Sequence, residues 1–149
     1  IGTGIVNSGV PWNQKNWTDR ISEIRHLAKE LKGRWTACPD DKLVSDMRVI
    51  YDKLRATIER IVQDVCLNGT VRRFEDYIRV KNLEKVPGLD LQLVRKLINL
   101  YDDISDFVEA HDHSEGAPAV PDISQLQSDI TIVEDTTKAI IQKRNTAHS

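Results

Sequence analysis

Apolar residues recur at helical spacing in several long stretches of the chain. Ile21, Ile24, Leu27 and Leu31 fall three or four positions apart, which puts them on one face of a helix. Thr18 is the expected N-cap of that helix and Gly33 its expected stop, with Trp35 packing just beyond. Cys38-Pro39-Asp40-Asp41 is the next start signal, because acidic side chains favour a helix N-terminus. Leu43, Met47, Ile50, Leu54, Ile58, Ile61 and Val65 then form a single stripe. This predicts the longest element, roughly 25 residues ending at Asn68-Gly69.

"TVRRFEDYIRV" follows, with Val71, Phe74 and Ile78 on one face, and reads as a short helix or a segment partly extended near Val80. Pro87-Gly88 breaks the chain. Leu91, Val94, Leu97, Ile98, Tyr101, Ile104, Phe107 and Val108 define another helix, with Asp90 as its cap and Ala110 at its end. Gly116, Pro118 and Pro121 then require a loop. Asp122 with Gln125 three residues on resembles a capping box. Ile123, Leu126, Ile130, Val133, Ile140 and Ile141 mark a final helix. The pattern predicts an all-α antiparallel helical bundle of four main helices plus one short helix. Residues 1–16 carry Gly2, Gly4, Gly9 and Pro11 and are expected as an irregular lead-in, with Val10, Pro11 and Trp12 as a docking segment. Residues 17–149 form the helical domain.

Composition narrows the class. The 149 residues are enough for one core, and 40% hydrophobic with 30% charged residues reads as a soluble globular chain. A net charge of -2 gives no global attraction to nucleic acid or membrane. No apolar run spans a bilayer, and the start "IGTGIVNSGVPW" has no charged region of the kind that opens a signal peptide. Cys38 and Cys66 make neither a disulfide framework nor a metal site. They are expected to be reduced in a cytoplasm, with Cys66 in the core. The chain begins with Ile1 rather than Met, so it is read as a piece of a longer protein.

Short catalytic motifs are absent. There is no P-loop signature, no dinucleotide fingerprint, no C-x-x-C, no H-E-x-x-H and no nucleophile elbow. Three constellations remain. Arg55 and Glu59 in "LRATIER" share a helix face beside the apolar stripe. A guanidinium held there presents a fixed fork to a phosphate. An ordinary helix pair is the commoner explanation. In "AHDHS", His111 ends a helix, where the dipole favours the imidazolium, and imidazole also moves protons near neutral pH. A metal held by His111, Asp112 and His113 lacks a distant further ligand, and none is expected. Arg72, Arg73, Arg79, Lys81 and Lys85 interleave with Phe74 and Tyr77, a combination that can grip an RNA backbone, although Glu75, Asp76 and Glu84 dilute it. Arg20 and His26 fit the R-x(4–6)-H spacing of some helical ribonucleases. Ile21 stands where that motif has a polar residue, so the match is taken as chance.

"SGVPW", "KLRATIERIVQDVCLNGTVRRFEDYI" and "AHDHS" together resemble the C-terminal part of a bacterial family of large P-loop ATPases. These have an SMC/ABC-like head and include relatives of the PrrC and RloC anticodon nucleases. The resemblance implies an ATPase head before this chain, with ATP and Mg bound there and no cofactor here. It implies that Arg55, Glu59 and His111 act together in metal-independent cleavage of tRNA or another RNA. Arg72, Arg73, Arg79 and Lys81 would hold the RNA, in a cytoplasmic phage-defence role silenced by the head. The alternative is a non-catalytic module that packs on the head, forms a homodimer or docks a partner. Neither reading involves a membrane.

Overall fold

The computed structural model describes residues 10–66, 90–110 and 119–147, without the side chains of Cys66 and Ala147. Four helices carry the fold: α1 (Trp17–Arg34), α2 (Asp41–Ile61), α3 (Leu91–Glu109) and α4 (Ile123–Ala147). There is no strand among the described residues. A 3-10 turn, Trp12–Gln14, precedes α1, and a π turn, Val62–Cys66, continues α2. The expected short helix, the stop at Asn68-Gly69 and the break at Pro87-Gly88 lie outside the described residues, as does the Cys66 side chain.

Each helix starts on a side-chain cap. Asp90 accepts from the Leu93 amide at 3.1 Å, as expected, and within the expected start signal of α2 it is Asp40 that caps, accepting from the Leu43 amide at 2.9 Å. At α1 the cap is Asn16, not Thr18. Asn16 Oδ1 accepts from the Asp19 amide at 2.8 Å, and Thr18 lies inside the first turn. Gly33 is not the stop either. It stays helical, and the chain turns extended at Trp35. The capping box at α4 is half formed. Asp122 accepts from the Ser124 amide at 3.2 Å, whereas Gln125 turns forward to Asp129 at 2.9 Å. α2 has 21 residues and is extended by the five of the π turn as far as Cys66, while α4 has 25.

Side-chain contacts fix the topology. Arg20 on α1 reaches Ala56 while Arg34 reaches Asp46, so α1 and α2 are antiparallel. Arg48 on α2 reaches Phe107 while Glu59 meets Tyr101, so α2 and α3 are antiparallel. Lys143 meets Asp90, and Arg25 meets Glu134 while Trp35 meets Asp122, which orients α4 against both α3 and α1. The helices pack α1 on α2, α2 on α3, α3 on α4 and α4 back on α1. This is a closed up-down-up-down bundle.

The core is the predicted stripe. Ile24, Leu31, Met47, Leu54, Ile58, Leu97, Leu126 and Val133 are all fully buried. Tyr51 and Phe107 meet edge to face with centroids 5.6 Å apart. A polar network enters the core between α2 and α4. The Tyr51 hydroxyl donates to Asp129 Oδ2 at 2.6 Å, and Gln125 serves the other carboxylate oxygen. Burial raises the Tyr51 pKa far above the usual phenol value, and the bond to Asp129 raises it further. No helix among the described residues is long and apolar enough to cross a membrane.

Candidate functional site

α2 carries Arg55 and Glu59 one turn apart, on the edge that faces α3. Arg55 has only 19% of its side chain exposed. Its Nη2 donates to Asp52 Oδ1 at 2.8 Å and its Nη1 to Glu109 Oε1 at 2.9 Å. Burial pulls the Arg55 pKa down, but the hydrogen bonds to Asp52 and Glu109 outweigh it and leave the pKa above the usual value. Glu59 is held separately. Its Oε1 accepts from the Tyr101 hydroxyl at 2.8 Å. Among the described residues, the ion pairs of Arg55 run to Asp52 and Glu109 and none runs to Glu59.

Arg55 and Glu59 therefore share a face, as the spacing requires, but they do not pair with each other: Arg55 joins Asp52 on its own helix and Glu109 on α3, and Glu59 joins Tyr101. Asp52 was within reach of sequence reasoning, because it lies three residues before Arg55. Glu109 and Tyr101 were not, because they meet α2 only through the packing of α3. Nearby, Arg48 Nε donates to the Phe107 carbonyl at 3.3 Å and its guanidinium lies 4.9 Å from the Phe107 ring centroid.

The electrostatics of this seam are acidic. Arg55 stands between Asp52 and Glu109, with Glu59 one turn further along α2 and a second guanidinium, Arg48, two turns before it. Along α3, burial raises the pKa of Asp102, and the charges of Asp106 and Asp103 raise it further. An RNA phosphate approaching these described residues meets more negative than positive charge. His111, Arg72, Arg73, Arg79 and Lys81 lie outside the described residues, as do Asp112, His113 and Lys85. What the structure brings together is Arg55 with Glu109, the residue two positions before His111, and Glu59 with Tyr101.

The R-x(4–6)-H match separates in the fold. Arg20 is buried against α2, and His26 is exposed on α1. Six residues along a helix turn the two side chains about 120° apart. No group of three or more His, Cys, Asp or Glu side chains suited to a metal ion occurs among the described residues. Cys38 is a free, exposed thiol.

No protein-family model matches the chain, and no curated protein or solved structure matches it.

Proposed function

We propose that this chain is a non-catalytic helical module, attached to a P-loop ATPase head, in which Arg55 braces α2 against α3. One observation carries this reading: both terminal nitrogens of Arg55 are occupied by carboxylates from two helices. Glu59 is likewise engaged by Tyr101. A guanidinium satisfied within the fold, in an acidic setting, stabilises an interhelical seam better than it receives a phosphate. Attachment to an ATPase head, a cytoplasmic setting and a homodimer through the bundle surface rest on the resemblance and on composition. The test is paired. Arg55→Ala lowers the thermal midpoint, while the wild-type chain expressed in cells leaves the tRNA pool intact. Broken tRNA with the wild type, and intact tRNA with a folded Arg55→Ala variant, would overturn it.

The second reading is RNA cleavage, and one contact favours it. Glu109, bonded to Arg55, lies two residues before His111 in the chain. Its side chain is 70% exposed and that of Asp52 is 58% exposed. Such pairs are worth about 0–1 kcal/mol each, so a phosphate could displace them. In this reading His111 takes the proton of the attacking 2'-hydroxyl or gives a proton to the leaving oxygen. Arg55 stabilises the charge on the phosphorane, Glu59 shares the proton transfer, and Arg72 and Arg73 hold the backbone. The same tRNA sequencing decides it, with His111→Ala as the variant expected to abolish cleavage without lowering stability.

A further inference from the structure

The outward face of α3 carries charges that meet no partner within the fold. Arg95, Lys96, Asp102, Asp103 and Asp106 are exposed, and none takes part in an ion pair or a side-chain hydrogen bond among the described residues. The ends of the same helix differ, since Asp90 pairs with Lys143 and Glu109 with Arg55. Taking 100° per residue, all five unpaired side chains lie within about 60° of Asn99 around the helix axis. Arg95 and Asp102 fall on one side of Asn99, and Lys96 and Asp103 on the other. The cations stand one turn before Asn99 and the carboxylates one turn after it. Cation and carboxylate are thus about 10 Å apart along the axis on either side, too far to meet on their own helix.

This order does not serve α3 itself. Cations in the N-terminal half and carboxylates in the C-terminal half reverse what the helix dipole favours. The aspartates also crowd one another. Burial raises the Asp102 pKa, and repulsion from Asp106 and Asp103 adds to it. A cation brought alongside from outside the fold relieves that repulsion.

Turned end for end, the face is complementary to itself. An antiparallel second copy centred on Asn99 brings Arg95 level with Asp102 of that copy, and Lys96 level with its Asp103. The two-fold axis repeats both pairs. A parallel copy would set like charge against like. Antiparallel order also opposes the two helix dipoles.

We propose that α3 docks antiparallel on α3 of a second copy of this chain, across a two-fold axis at Asn99, through Arg95, Lys96, Asp102 and Asp103. This gives a surface to the homodimer named above and rests on that part of the reading alone. Gln92, Asn99 and Asp106 occupy the middle of the face, with no large apolar side chain among them. The association is therefore weak by itself and sensitive to salt.

The experiment is a charge swap in the 149-residue chain, with mass read by sedimentation at low and at high ionic strength. One variant is Arg95→Asp with Lys96→Asp, and the other is Asp102→Lys with Asp103→Lys. The wild type is expected to pair at low salt and to separate as salt rises. Each variant alone stays monomeric, and an equimolar mixture of the two pairs, because every altered charge then faces its opposite. A wild type that is monomeric throughout, variants that pair as strongly as wild type, or a mixture that does not pair overturns the proposal. Circular dichroism checks that both variants fold. If either does not, Asn99→Cys in the wild-type charge background replaces them. Mild oxidation at low salt should then bridge position 99 of one copy to position 99 of the other, and the lack of that bridge overturns the proposal. A monomeric chain would leave the Arg55 brace standing, since that is read by thermal midpoint and tRNA integrity.

Discussion

Arg55 on α2 and Glu109 in the last turn of α3, 54 positions apart in the chain, are joined by a 2.9 Å hydrogen bond. Asp52 holds the same guanidinium from one turn before it. Arg55 thus binds a helix to itself and to its neighbour at once. Both carboxylates are well exposed, so the effect of losing the guanidinium is moderate. Arg55→Ala is expected to lower unfolding free energy by about 1 kcal/mol, summing two weak pairs and the packing of a partly buried stem. Glu109→Gln should cost less than that. Urea titration followed by helical circular dichroism measures both, and a loss as large as that of a core deletion would show that Arg55 does more than join the helices.

Ile58 supplies the scale for that comparison. It is fully buried, three residues along the same helix. Ile58→Ala removes apolar volume that the bundle cannot refill, and should cost about 2–5 kcal/mol. If Ile58→Ala and Arg55→Ala prove equal in the same titration, the packing assigned to the α2 stripe is wrong.

The buried phenol of Tyr51 predicts an alkaline limit. Its pKa is raised in the folded state, so the native chain keeps a proton that the unfolded chain releases above pH of about 10. Stability from this group is fully present below that value and falls as pH rises beyond it. Tyr51→Phe should make the alkaline limb of stability shallower, at the expense of neutral-pH stability. It leaves Asp129 with one fewer donor, worth about 1–3 kcal/mol. Midpoints recorded at neutral and alkaline pH check it. An unchanged alkaline slope would remove Tyr51 from the account.

Glu134 predicts the acid side. The hydrogen bond from Arg25, at 2.6 Å, holds its carboxyl below the usual range. A depressed carboxylate adds stability above its unfolded pKa, near 4.3 for a free glutamate at about 25 °C, and loses it as pH falls through the folded value. Glu134→Gln should therefore weaken the chain at neutral pH and flatten its decline below about pH 4. Nuclear magnetic resonance titration of the Glu134 carboxyl carbon reads the pKa directly, and a value at or above that of a free glutamate would refute the pairing.

The bundle was legible because its signal is local and repeated. Leu43 to Val65 announces α2 by spacing alone, and Asp40 and Asp90 cap where short acidic residues precede an apolar run. The errors occur where two neighbouring residues compete for one role. Asn16 and Thr18 both suit a cap, and only the backbone path selects Asn16. Gln125 could turn back to complete a box, but Asp129 one turn ahead takes it instead. At the candidate site, spacing put Arg55 and Glu59 on one face. It could not supply Glu109 or Tyr101, because those partners are set by which helix lies alongside. His111 and the Arg72, Arg73, Arg79 and Lys81 group lie outside the described residues.

Asp129 also fixes how far α4 is inserted. A helix whose inner face is a row of branched apolar residues can slide one turn along a neighbour and still find hydrophobic contact. Here a slip would bring Gln125 or Val133 level with Tyr51 in place of Asp129. Opposite Val133 the phenol would have no acceptor, and the displaced carboxylate would lie in the core without its donor. Misaligned bundles that the apolar pattern alone would tolerate are thereby penalised, so one buried oxygen acts as the index mark that sets the vertical position of an entire helix.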